Sequence, residues 1–473
     1  MKYEKTVFMT GAAGHMGYEG LKLLAENKSV KLKLLSLGDR KSRTILAPYK
    51  AYENVEIIEG DLTHYDDVLR GIRGSDYVLH VGAIIPPAAD HFPDLAERVN
   101  FGGTLNIIRA IGEQDNSDRI KLVYISTVAS MGDRMPPIHW VRTGDPIKVS
   151  RFDYYGASKV KAERAVMESG LPFWVVLRQS GMLHRDLLKI MDPIMFHQPL
   201  NNHMEWSSAD DSGRILNNIC TMDLPDPFWR QVYNIGGGEE YRKTNFQFMA
   251  EAFQAMGFSD FRKILTPRFF TSGNFHGCWY LDSDRLDKWL HFRQTPYGVF
   301  FKKLKDALPS IYKLNRLIPA ELIKNWVMKP LAMKEQGPLN WIRKNRTDRI
   351  EAFWGSRQQW EKMPEKWDDF QLLRNPEPIK IDQGYNSGKE DRKLQLKDCR
   401  IAAAFRGGLC LSPRMHHGDI YSPLDWTCSC GEEFSASPFT VLRGGHWCPR
   451  CDLDSENYSR RAAANPFFAQ VYR

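Results

Sequence analysis

The chain has no uninterrupted apolar stretch of about 18 residues, so no transmembrane helix is expected. Cysteine is scarce, 8 in 473 residues, too few for a disulfide scaffold in a chain of this length. Charge of one sign is not in large excess. The 65 Lys+Arg against 57 Asp+Glu leave a net +8, which removes the case for a protein that binds nucleic acid over its whole surface. Internal repeats and low-complexity tracts are missing. The N-terminus runs straight into a strand-like segment without an apolar signal core, so a cytoplasmic protein is expected. What remains is a globular composition, 42% hydrophobic and 26% charged. At about 150 residues per domain that is chain enough for two or three domains.

Short apolar strands alternate with helical stretches over the first half. Segments 6–9, 32–37, 55–59, 77–81, 122–125 and 173–177 read as strands, and 21–26, 66–71, 99–112 and 155–169 as helical. This alternation predicts βαβ crossovers and an α/β fold, a Rossmann-type doubly wound parallel sheet. Residues 180–300 lose the regularity and are rich in aromatics, which suits a smaller substrate-binding region. The domains expected are 1–300, a basic helical extension and linker over 301–390, and a small unit over 391–473. Residues 301–350 hold 12 Lys/Arg against 4 Asp/Glu, as much excess charge as the whole chain. Short amphipathic helices with a solvated basic face account for this, and a patch for a membrane surface or an anionic partner is the alternative. A turn-rich linker is expected from Asn375.

The turn Thr10-Gly11-Ala12-Ala13-Gly14-His15-Met16-Gly17 follows the first strand and opens a helix. Glycines here serve a tight turn, close approach of backbone to a pyrophosphate, and close helix–strand packing. The free N–H groups of the helix N-terminus face the phosphates. Gly11, Ala13, Gly14, His15, Met16 and Gly17 are therefore candidate cofactor contacts. Asp39, ending the second strand, is placed for the adenosine ribose and favours NAD, whereas Arg40 and Arg43 suit the phosphate of NADP. Asp61 and Leu62 would lie near the adenine, and Val81, Gly82 and Ala83 beside the nicotinamide.

Tyr155 and Lys159 fall one helical turn apart on one face. A nearby cation favours a phenolate, so the Tyr155 pKa is expected to fall toward neutrality. Upstream, Ser126 and Thr127 end an apolar strand with hydroxyls. Taken with Asp61-Leu62 and Val99-Asn100-Phe101-Gly102-Gly103-Thr104, these motifs resemble the extended short-chain dehydrogenase/reductase superfamily, the NAD-dependent epimerase/dehydratase group, over about residues 4–290. The resemblance implies a catalytic Thr127, Tyr155 and Lys159, with Ser126 the second choice of hydroxyl. It also implies that Lys159 holds the nicotinamide ribose, that Asn100 sits near the site, and that the chain forms a homodimer. The expected activity is hydride exchange between NAD(P) and a small hydroxyl or carbonyl substrate. A sugar-nucleotide epimerase and a cofactor-sensing adaptor are the alternatives.

Two departures bear on the substrate. Gly181 stands where sugar-nucleotide members carry an Asn, and Val128-Ala129 replaces the acidic pair of dehydratases. The 191–196 stretch and Glu205-Trp206 read either as an aromatic pocket or as ordinary core. Near the C-terminus, Cys428-x-Cys430 and Cys448-x₂-Cys451 present four thiolates at zinc-knuckle spacing, which suits a closed structural Zn²⁺ site. The unit resembles zinc-ribbon or treble-clef domains, and His446 is a possible substitute ligand. Its 11 basic and 9 acidic residues make nucleic acid an unlikely partner.

Overall fold

The computed structural model describes residues 3–373 and 377–472. The linker expected at Asn375 begins outside those residues. Seven strands form the central sheet: β1 (Lys5–Thr10), β2 (Val30–Ser36), β3 (Val55–Glu59), β4 (Tyr77–His80), β5 (Lys121–Thr127), β6 (Trp174–Gln179) and β7 (Gln231–Ile235). All pairings are parallel, in the order β7-β6-β5-β4-β1-β2-β3. The central strands are apolar on both faces because both are covered, whereas the edge strand β3 exposes Glu56 and Glu59. Phe8, Val78, Tyr124 and Val176 point to one side, and Val7, Met9, Leu79, Val123 and Val175 to the other. The first side is covered by α3 (Tyr65–Ile72), α4 (Gly103–Gly112) and α5 (Tyr154–Met167), the second by α1 (His15–Glu26) and α6 (Ala209–Thr221).

Residues 180–300 are less irregular than expected, for they return to the core twice. They supply β7 at the sheet edge and α6, which crosses α1 where two glycines meet. A Cβ on Gly213 would lie 2.4 Å from Glu19 Cβ and 2.7 Å from Gly20 N. Gly213→Ala is therefore expected to destabilise the chain by about 1–3 kcal/mol through overpacking, read as a lower denaturant midpoint at unchanged slope.

The rest of that region forms two-stranded ladders: His203–Glu205 with Arg242–Thr244, and Trp140–Val141 with Trp279–Tyr280. Residues 297–361 form short helices. Met328, Leu331 and Ala332 pack on Phe196, Phe253 and Phe270, and Trp341, Phe353 and Trp354 make a second cluster. Ile311, Leu317 and Trp326 stay 68%, 71% and 80% exposed. Among the described residues no helix is long and apolar enough to cross a membrane.

The C-terminal unit carries α7 (Leu396–Phe405) and an antiparallel sheet of β8 (Gly408–Cys410), β9 (Leu424–Cys428) and β10 (Glu433–Ala436). It packs on the α5 side of the main sheet. Phe439 meets Trp174 edge to face with ring centroids 5.5 Å apart, and Trp426 and Trp447 are buried in the same cluster as Phe8 and Tyr124.

Candidate functional site

The strand order reverses between β1 and β4, and ligands of open α/β sheets bind in the crevice at that point. The glycine turn lies there. Gly11 has φ +74°, and a Cβ on it would come within 2.6 Å of Gly82 N, so only glycine lets the two strand ends close together. Gly14 is the N-cap of α1, with no side chain capping the helix and no acidic residue in its first turn. The helix therefore turns uncapped N–H groups and a positive dipole end to the crevice, which fits a pyrophosphate. Met16 and Gly17 are buried in α1, and Ala13 packs on the same core. His15 stacks on His184, centroids 3.7 Å apart. Burial lowers both pKa values, His184 to about 4, so this pair is neutral at pH 7.

At the adenosine side Asp39 has a local duty that sequence reading missed. It caps α2 (Arg40–Leu46), accepting from Lys41 N and Ser42 N at 2.9 and 3.1 Å and from Ser42 Oγ at 2.6 Å. The Ser42 bonds hold its carboxyl below the usual range. Arg43 is paired with Glu59 at 3.2 Å, so one of the two guanidiniums expected to suit a phosphate is neutralised. Asp61 accepts from Thr63 N and Oγ1, both at 2.8 Å. Leu62 packs against Gly103, whose added Cβ would lie 2.5 Å from Leu62 Cγ.

A buried hydrogen-bond chain links the ends of β1 and β4 to α4 and α5. Thr104 Oγ1 donates to Asn100 O at 2.6 Å, so it accepts from His80 Nε2 at 3.0 Å. His80 Nδ1 then accepts from Thr10 Oγ1 at 2.9 Å, and Thr10 Oγ1 accepts from Gly82 N at 3.0 Å. Burial, then Lys159, lowers the His80 pKa to about 3, which keeps the ring neutral and this donor order in force. Asn100 clasps the backbone after Val81-Gly82-Ala83 through Ile84 N and O at 2.8 and 3.0 Å. Its Nδ2 also reaches Ser158 Oγ at 3.0 Å, and that hydroxyl donates to Tyr155 O. No motif marked His80; its place as the last residue of β4, facing the glycine turn, was the available signal.

Tyr155 lies in the first turn of α5, which Asp153 caps through Gly156 N at 2.7 Å. Thr127 ends β5, where its Oγ1 accepts from Ala129 N at 3.1 Å. Ser126, the second candidate, instead donates to Glu163 at 2.5 Å. The expected acidification of the phenol is not seen. Burial pushes Tyr155 up to about 12, against the pull of Thr127 and with Asp153 adding to the rise. The Lys159 ammonium instead lies over the Tyr124 ring, 4.2 Å from its centroid. Burial lowers Lys159 to about 7, and Glu163 pulls it back up.

A cleft opens beside the N-terminus of α5, lined among others by Asp90, Phe152, Asp153, Asp192, His276 and Arg349. His276 Nδ1 is 3.3 Å from Asp153 Oδ2. Burial, then Asp153, pushes the Asp90 carboxyl up to about 7, with His276 and Arg349 holding it back. Of the residues weighed as an aromatic pocket, Asp192 and Ile194 line this cleft. Phe196 is core, and Trp206 stacks on Phe248 at 4.5 Å. Glu205 is buried on Arg242 at 2.9 Å and Ser283 at 2.7 Å. At Gly181 an added Cβ would lie 2.8 Å from the Trp206 ring, so the Asn of sugar-nucleotide enzymes has no room.

The four C-terminal cysteines converge. Cys428 and Cys451 Sγ are 3.9 Å apart and Cys430 and Cys448 Sγ 3.7 Å, and all four sulfurs lie within 4.8 Å of one another. Tetrahedral Zn²⁺ with bonds of about 2.3 Å places its sulfurs about 3.8 Å apart. Cys451 N points at Cys448 Sγ at 3.5 Å. His446 turns away, toward Glu163, so it is no ligand. The set fits a closed zinc site.

A profile of the 3-beta hydroxysteroid dehydrogenase/isomerase family matches residues 8–172. The 3 beta-hydroxysteroid dehydrogenase type 7 of Mus musculus is 27% identical over 185 residues, 37% of this chain and 49% of the relative. That of Rattus norvegicus is 27% identical over 164 residues, 34% and 47% of the two chains. The chain thus spans about half the length of these curated relatives. Among solved structures, a dTDP-glucose 4,6-dehydratase from Streptomyces venezuelae with NAD bound matches with TM-score 0.51 at 18% identity, covering 64% of this chain and 96% of that one. A mutant UDP-glucuronic acid 4-epimerase from Bacillus cereus with NAD matches with TM-score 0.50 at 16% identity, covering 66% and 100%. The N-terminal part of the chain therefore shares the Rossmann-like parallel-sheet fold of these NAD-bound structures.

Proposed function

We propose that this chain is an NAD-dependent oxidoreductase that interconverts a secondary alcohol and a ketone. The observation that carries the reading is the Tyr155 phenol in the first turn of α5, under the influence of Thr127 at the end of β5, in a sheet whose first strand leads into an uncapped glycine turn. NAD, when bound, supplies the hydride acceptor, and NADH the donor. Gly11, Gly14 and the first turn of α1 would hold the pyrophosphate, and Val81-Gly82-Ala83, fixed by Asn100, would border the nicotinamide. Thr127 orients the substrate oxygen and the Tyr155 hydroxyl. The Tyr155 Oη proton moves to that oxygen during ketone reduction and returns during alcohol oxidation. Lys159, one turn on, would anchor the ribose.

Two predictions follow from the electrostatics. A phenol held near 12 stays protonated at neutral pH, so the proton that ketone reduction needs is in place there, while the phenolate that alcohol oxidation needs is scarce. Alcohol oxidation is expected to rise about tenfold per pH unit between roughly pH 7 and 9, measured as initial rates of NADH formation; a flat profile would remove Tyr155 as the base. At the adenosine end, the Asp39 carboxylate would repel a 2′-phosphate, and the Arg43 guanidinium that could attract one is taken up by Glu59. NAD is therefore expected to bind at least about tenfold more tightly than NADP, about 1.4 kcal/mol, by titration calorimetry. Equal affinities would contradict the assigned roles.

The blocked space at Gly181 argues against a nucleotide-sugar substrate, and the mixed-charge cleft beside α5 suits a small polar hydroxyl or carbonyl compound. Screening carbonyl and alcohol libraries by NADH fluorescence, in both directions, tests the reading. At least one pair of compounds should interconvert; silence in both directions with folded, NAD-binding protein would overturn it.

A further inference from the structure

The C-terminal unit reaches beneath the reacting groups. Glu163 follows Lys159 by four residues on the same face of α5 and is fully buried. Its carboxylate accepts from Arg178 Nη2 at 2.6 Å and Nε at 3.2 Å, from Ser126 Oγ at 2.5 Å, and from His446 Nε2 at 2.9 Å. Arg178 Nη2 also donates to the Gly444 carbonyl at 2.6 Å. Gly444 and His446 belong to the loop that runs into Cys448. Two further contacts pin this region to α5: Arg164 donates to Trp447 O at 2.7 Å, and Glu168 accepts from Ser437 N at 3.0 Å. Four side chains from β5, α5, β6 and the cysteine loop thus form one network closed to water. An ion pair buried this deeply contributes little stability beyond what apolar packing would give, so its placement one turn from Lys159 asks for another role.

We propose that the C-terminal metal-binding unit is a working part of the oxidoreductase site: His446 and the Gly444 carbonyl fix Glu163 and Arg178, and Glu163 is thereby held as the counter-charge of Lys159. Glu163 and His446 are positioning residues, for neither touches substrate or cofactor. The proposal rests on the oxidoreductase reading for what the Lys159 charge does. The groups facing Lys159 are Tyr124 from β5, His80 from β4 and Glu163 from its own helix. Burial lowers the ammonium, and Glu163 is the group that opposes the fall. Without that charge Lys159 should lose its proton at lower pH.

The test reads Lys159 directly, on full-length zinc-loaded protein. Acetylation of Lys159 by acetic anhydride is followed against pH by peptide mass spectrometry. The native midpoint is expected near about 7. Glu163→Gln and His446→Leu should each lower it by about one unit or more. His446→Gln, which keeps an N–H donor, should restore it, with zinc content unchanged throughout. Zinc stripping, monitored with a pyridylazo dye, should act as His446→Leu does. An unmoved midpoint in both Glu163→Gln and His446→Leu overturns the proposal, and if Glu163→Gln does not fold, His446→Leu decides alone. Tyr155→Phe separates the two readings, because turnover that survives it sinks the oxidoreductase assignment whatever Lys159 does.

Discussion

Replacing Tyr155 with Phe is expected to cut turnover by about a hundred- to ten-thousandfold, the range of a positioned acid–base group, and to leave NAD binding within about twofold. The ring would keep its place in the first turn of α5, where Asp153 and the Ser158–Asn100 bonds hold the backbone rather than the hydroxyl. Nothing in the glycine turn or the His80 chain depends on the phenol oxygen. A joint loss of binding and turnover would indicate collapse of the crevice instead. Turnover retained within tenfold would show that another group moves the proton. Thr127→Ala should share the loss in milder form, because the Thr127 side chain draws the phenol's pKa down without carrying its proton.

The second large effect is at the metal. Cys448→Ser is expected to abolish zinc binding and to melt the C-terminal unit at ordinary temperatures. Four thiols within 4.8 Å of one another cannot all ionise without a cation between them. Structural zinc contributes about 10–16 kcal/mol in small zinc-finger peptides, as much as the whole stability of a typical domain. The consequence should spread past residue 391. Trp426, Trp447 and Phe439 share a cluster with Trp174 and Tyr124 of the main sheet, so their release exposes the α5 side of that sheet. Calorimetry should show one transition moved down by many degrees, with metal content near zero. A metal-free variant melting with the parent would contradict a structural zinc site.

What could be read from the sequence was whatever depends on near neighbours along the chain. The glycine turn, the Tyr155/Lys159 spacing and the paired cysteine knuckles are local patterns, and all three occupy the elements they implied. Asp39 was also local, but its cap duty competes with the ribose duty, and composition does not show which a carboxylate performs. The direction of the Tyr155 shift was misjudged because spacing shows a nearby amine and not the burial that outweighs it. His80 became visible only once β1 and β4 were adjacent. The joining of Glu163, Arg178 and His446 was beyond reach for the same reason: the His446 contact spans 283 positions, and His446 alone reads as a possible metal ligand of the neighbouring cysteines. The return of Gln231–Ile235 to the sheet edge was missed because one short strand among loops carries little periodicity.

The central claim is a hydride passing between a nicotinamide ring and a carbonyl carbon, with Tyr155 moving the proton. The most direct measurement supplies NADH carrying deuterium at C4 together with a ketone identified by the screen, and locates the label in the alcohol by mass spectrometry and NMR. Deuterium on the carbinol carbon, transferred from one face of the ring only, is the expected result. An alcohol formed without label, or label arriving equally from both faces, would contradict it.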